Sequence, residues 1–122
     1  MPRGALEAEY GAAVVLEPAR VAVSFVSTLD GVVSFGLGRL DSRAVGGGIA
    51  ADRLVMALLR SLAAVIVVGA GTLRASPDHQ WTAETLLPAR AADIAALRYA
   101  VGHTDRPAQL LVVSATGRVP SG

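Results

Sequence analysis

The sequence has no cysteine, which excludes disulfides, thiolate nucleophiles and cysteine-based zinc sites. It has no lysine either, so every basic residue is an arginine. A Schiff-base lysine and a Walker phosphate loop are therefore ruled out, since both mechanisms need the amine. Aromatic residues are few and dispersed: Tyr10, Phe25, Phe35, Trp81 and Tyr99. They cannot form a platform on which bases stack. The net charge is +1 with scattered arginines, and without a basic stripe no nucleic-acid partner is expected. Long apolar runs are missing as well. The most apolar one lies between Arg60 and Arg74, shorter than the ~20 residues of a spanning helix. The first residues carry Glu7, Glu9 and Glu17 and lack the charged and apolar regions of a signal peptide. These features predict a cytoplasmic chain with no membrane contact.

What is present is apolar substance. At 122 residues the chain is one domain or part of one, and 52% of it is hydrophobic. That richness suits a sheet covered on both faces. Residues 1–20 read as a loose lead, with residues 12–16 as a short edge strand or a helical turn before Pro18. Residues 21–28, VAVSFVST, are β-branched and aromatic and predict a strand. Asp30-Gly31 marks a turn, and residues 32–35 continue as a second extended piece. Residues 36–48, with Arg39, Asp41 and Arg43, read as a loop.

Residues 49–64 predict a helix, because Leu54, Val55, Leu58, Leu59 and Leu62 keep helical spacing and Asp52 suits the first turn. The run 64–68, AVIVV, ends in glycine and has the composition of a central parallel strand. Residues 77–81 form a polar turn. Residues 88–101 predict a second helix, with Pro88 tolerated at its start, Gly102 at its end, and Ala91, Ile94, Ala95 and Leu97 as its buried stripe. Residues 109–113, QLLVV, predict another strand. Strands alternating with helices imply an α/β fold with a mostly parallel central sheet and flanking helices. Three or four strands make a thin sheet, and residues 118–122 follow a strand directly. The expectation is a partial domain: a lead over 1–20 and the first part of a larger α/β domain over 21–122. A second copy supplying the missing surface, or a small complete domain, is the alternative.

In open α/β sheets ligands bind beyond the carboxyl ends of strands. Three such tips are expected, at residues 27–31, 69–74 and 114–117. The second carries most information. Gly69 and Gly71 let a phosphate approach the backbone, Thr72 offers a hydroxyl and Arg74 a fixed charge. The third glycine of a dinucleotide fingerprint is replaced by Arg74, so a standard Rossmann site is not expected. Glycine at a strand end also serves as a plain tight turn. Asp30 reads as a proton donor, a polar anchor or a turn residue. Arg60 reads as a bidentate grip for a substrate phosphate or as a surface arginine favoured by its helix end. His79 and His103 have no metal-site spacing, and Trp81 beside His79 reads as a pocket wall or a loop anchor.

At these residues the chain resembles a known family. Residues 25–31, FVSTLDG, resemble the first-strand motif of the pyrimidine reductases of riboflavin biosynthesis, which are dihydrofolate-reductase-like. Leu58-Leu59-Arg60 with Gly69-Ala70-Gly71-Thr72-Leu73-Arg74-Ala75 resembles the second signature, and residues 111–114, with a later glycine and proline, the third strand and turn. The resemblance spans about residues 20–120. It implies a usually dimeric enzyme that uses NADPH to reduce the ribosyl group of a phosphorylated aminopyrimidine to a ribityl chain. By position it implies that Val26, Gly69, Gly71, Thr72, Ser76 and Ser114, or Ala115 beside it, meet the cofactor. Asp30 and Arg60 would meet the substrate, with Arg60 on its phosphate. Catalytic residues are not assigned, because no essential acid stands out. Ser76 stands where the family often has an acidic residue, and Ala44 and Gly46 replace a serine and a tryptophan. The family's glycine-rich phosphate loop has no counterpart among these residues. A related reductase with another substrate, or an inactive structural or dimerising fragment, are the competing expectations.

Overall fold

The computed structural model describes residues 1–37, 41–104 and 106–120, and for residues 41–43 it describes the backbone alone. Arg39 of the expected loop therefore lies outside the described residues. The elements are α1 (Ala5–Tyr10), α2 (Asp41–Gly46), α3 (Ala50–Leu62), β1 (Val65–Gly69), α4 (Ala70–Ala75), α5 (Ala83–Leu86), a 3-10 turn (Pro88–Arg90), α6 (Ala91–Ala100) and β2 (Gln109–Val113). The protein is mixed α/β, with a two-stranded parallel sheet. No described helix is long and apolar enough to cross a membrane.

The core lies between helices. Leu58 and Leu62, one turn apart on α3, are buried with Ala57 against Leu6 of α1, Ala83 of α5, and Ile94 and Leu97 of α6. Leu54, Leu86, Leu87 and Val101 pack around the rim. The expected helical stripes thus hold at their centres, while Ala91 turns to solvent and Ala95 is half-buried. Ser61 shares the buried face of α3 and satisfies its hydroxyl by donating to the Ala57 carbonyl at 2.7 Å. α6 stops at Gly102, whose φ of 84° favours glycine.

The ends of α3 and α6 are tied together. Arg98 is buried, and its guanidinium donates to the carbonyls of Ser61 at 2.9 Å, Ala63 at 3.3 Å and Thr104 at 3.2 Å. Two of these acceptors close the carboxyl end of α3, whose last carbonyls have no partner within the helix. His103 Nε2 adds a 2.8 Å contact to the Leu62 carbonyl.

The expected loose lead is not loose. α1 buries Leu6 and Glu7 completely and ends at Gly11, which has a φ of 91°. The Glu7 carboxylate accepts from the Arg3 amide at 2.6 Å, from Arg3 Nη2 at 2.6 Å and from the Val14 amide at 3.0 Å. These donors stabilise its ionised form. Hydrogen bonding to Arg3 outweighs burial and lowers the Glu7 pKa to about 2. The strand or helical turn expected over residues 12–16 is absent, because Val14 instead spends its amide on Glu7 and its carbonyl on Arg3.

β1 and β2 pair in parallel, from Val65 with Gln109 to Gly69 with Val113. The three helices between them provide the long crossover a parallel pair needs. Two strand expectations are corrected. Residues 21–28 join no sheet, and neither do residues 32–35. Ser24 instead donates from Oγ to Met56 Sδ at 3.5 Å, and Val26 lies against Gly46, so this arm follows α2 and α3. β1 is correspondingly an edge strand rather than a central one. One sheet face is bare: Val67, Leu111 and Val113, which alternation puts on the same side, are each more than half exposed. On the opposite face Val68 is buried and Ile66 and Val112 are half-buried. The expected loop 36–48 contains α2, closed by Gly47 and Gly48 at φ of 63° and 67°.

Candidate functional site

The register of the sheet decides which strand tips meet. Gly69 and Val113 are direct partners, so the chain leaves both strands at one edge. Beyond Gly69 it turns into α4, which carries Thr72 and Arg74, and beyond Val113 comes Ser114. Thr72 is exposed and Ser114 is half-buried, its Oγ donating to the Arg118 carbonyl at 3.1 Å. Ser76 closes α4 through its amide, which donates to the Thr72 carbonyl at 3.1 Å. Two of the three expected tips, with Gly69, Gly71, Thr72, Ser76 and Ser114, are thus gathered by two adjacent elements.

The glycines of this edge are not there for backbone freedom. Neither Gly69 nor Gly71 has a positive φ. A Cβ at Gly69 would stand 3.9 Å from Thr72 Oγ1, and one at Gly71 would stand 3.7 Å from Arg74 Nη2. Both are ordinary contacts, so the fold tolerates a side chain. What glycine does here is leave a hydroxyl and a guanidinium uncovered.

The third tip is held differently. Residues 28–32 form a local turn: the Thr28 amide donates to the Val32 carbonyl at 2.9 Å, the Val32 amide to Thr28 Oγ1 at 2.9 Å, and Gly31 takes a φ of 86°. Thr28 Oγ1 also donates to Asp30, whose carboxylate serves that turn. Val26 is half-buried against Gly46. No backbone ladder brings Val26 or Asp30 beside β1, so the three-tip cup expected from sequence is a two-tip edge among the described residues.

Arg60 is not the surface arginine that its helix-end position allows. It is buried, and its partners come from the segment after α4. Nη1 donates to the Thr82 carbonyl at 3.1 Å, and both Nη atoms lie 3.4 Å from His79 Nε2. The guanidinium carbon sits 5.4 Å from the centre of the Trp81 ring, and Trp81 meets His79 edge-on at 4.6 Å between centroids. Burial lowers the Arg60 pKa, and burial followed by the Arg60 charge lowers that of His79. A cleft of about 280 Å³ opens at His79, which lines it with Ser76, Pro77 and Asp78. Trp81 is half-buried against the Arg60 and His79 side chains, and its ring supports Arg60. The Arg60–His79 contact was invisible in the sequence, because no periodicity links a helix residue to a turn nineteen positions later.

No family model matches the chain, and neither a curated protein nor a solved structure does.

Proposed function

We propose that this chain is part of an NADPH-dependent reductase of the dihydrofolate-reductase-like class, acting on a phosphorylated aminopyrimidine riboside. The observation that carries the reading is the pairing of Gly69 with Val113, which sends Thr72 and Ser114 off the same sheet edge. Strand carboxyl ends are where open α/β sheets receive nucleotides. Gly69 and Gly71 fit that use, since without a Cβ they leave Thr72 Oγ1 and Arg74 Nη2, the groups a diphosphate needs, uncovered on that side. NADPH supplies the hydride when bound, and the protein supplies placement and polarity. Thr72 acts as a hydroxyl donor toward the cofactor, Ser114 becomes one when its hydroxyl leaves the Arg118 carbonyl, and Arg74 neutralises the cofactor's charge. Arg60, with donors to spare, holds the phosphate of the substrate.

A second reading is favoured by the uncovered sheet. The exposed apolar side chains of Val65, Val67, Leu111 and Val113 on one face suit a structural role or a homodimer in which another copy covers them. Titration of the purified chain with NADPH, followed by the cofactor's fluorescence, separates the two. The reductase reading expects a saturable change that Thr72→Val weakens. The absence of any saturable change removes that reading and leaves the structural one.

A further inference from the structure

We infer that Arg60 and His79, beside Trp81, form a proton-linked site for a tetrahedral dianion such as a sulfate or a phosphate monoester. The inference deepens the role given to Arg60 above by adding a partner and a pH response. Its geometry involves residues 60, 79, 81 and 82 rather than the strand tips.

Buried cations are normally paired, because an unpaired charge is costly away from water. Arg3, Arg20 and Arg90 each meet a carboxylate. Arg98 lacks one but spends its donors on three carbonyls. Arg60 stands apart: it is buried, no carboxylate lies within ion-pairing distance among the described residues, and one carbonyl accepts from it. A guanidinium has five N–H donors. Its remaining contact is with His79 Nε2, 3.4 Å from both Nη atoms, which can accept only while the imidazole is neutral. The Trp81 ring supports the cation without neutralising it. Trp81 Nε1 is itself buried with no hydrogen-bond partner, a second donor lacking an acceptor in the same cluster. Donors are in excess, acceptors are short, and a cleft opens at His79. That is the inventory of an anion site.

The histidine sets its pH response. A dianion seated against Arg60 takes the acceptor role that His79 fills in its absence. His79 then gains a proton at Nε2 and turns from a competitor for Arg60 into a second donor to the anion. The charged groups around it allow this. From α3 the charge that acts on His79 is Arg60. Asp78, next to it in the turn, is exposed, and Glu84 of α5 acts on Arg98 of α6.

Sulfate is the suitable probe, since its charge does not change between pH 5.5 and 7.5. Trp81 is the only tryptophan, so its emission reports the cluster directly. Sulfate, but not chloride at equal ionic strength, is expected to change that emission saturably, with Kd roughly three- to tenfold tighter at pH 5.5 than at pH 7.5. His79→Gln should keep sulfate binding and lose its pH dependence, and Arg60→Gln should lose binding at both pH values. Should Arg60→Gln unfold the chain, NMR titration of the wild type decides: sulfate should raise the His79 pKa and leave His103 alone. No saturable change at either pH, equal affinity at both, or an unaltered pH dependence in His79→Gln overturns the inference. NADPH binding at the strand tips can persist in any of these cases, so the two readings fail separately.

Discussion

The two-stranded sheet is built from more apolar segments than the helical cluster, yet it is the helical cluster that is covered. α3 and α6 concentrate their large residues on one stripe each, and those stripes close on one another around Leu58, Ile94 and Leu97. β1 and β2 are apolar on both faces, and a two-stranded sheet flanked by one short helix cannot cover both. The comparison teaches that hydrophobicity alone does not place a core. A stripe can be satisfied by one neighbour, whereas a two-sided strand needs two layers. The covered region holds the fold, and the uncovered one holds the candidate cofactor edge.

Substitutions can break that contrast or sharpen it. The largest effect is expected at Leu58→Ala, which opens a cavity in the helical core and should cost about 2–5 kcal/mol in denaturant unfolding. Next comes Glu7→Gln, expected to cost about 1–3 kcal/mol, because it weakens the acceptor on which Arg3 and Val14 converge. Glu7 also gives the helical region a pH response. Its pKa is lower in the folded state, so the unfolded chain binds more protons in acid. Its contribution is complete above about pH 4.5 and should fall away toward pH 2. An unfolding series over that range in wild type and Glu7→Gln checks this, and parallel curves would contradict it. If the proposed reductase reading holds, Arg60→Ala in a catalytically active form should raise substrate KM about tenfold while changing NADPH affinity little. The reverse pattern would remove its role as a phosphate holder. The smallest effect is expected at Val113→Thr on the exposed sheet, within about 0.5 kcal/mol of wild type. A cost there close to that of Leu58→Ala would mean that the sheet is covered in solution.

The same contrast governs what could be read from the sequence. α3, β1, β2 and α6 were legible within a residue or a few, because periodicity and composition are local signals that their environments reinforce. α5 is a single turn capped by Thr82, whose Oγ1 accepts from the Thr85 amide, too short for any period to register. α1 was missed for a related reason: its burial rests on Leu6 and on Glu7, a carboxylate that sequence reasoning places in solvent. Residues 21–28 have strand composition, but a strand also needs a neighbour's edge, and composition says nothing of that. Within the candidate site, the glycine-threonine tip after β1 was visible as a motif, and its union with Ser114 followed from two strands read correctly. The burial of Arg60 and its meeting with His79 depend on how α3 lies against the segment after α4, which no local pattern encodes.

Amide hydrogen exchange with and without NADPH tests the central claim most directly, because it reads both strand tips and the helical core in one sample. Added protection at residues 69–72 and 114–117 together, with residues 28–31 unchanged, is the result expected if the paired edge holds the cofactor. Protection at only one of those tips, or at neither, would contradict it.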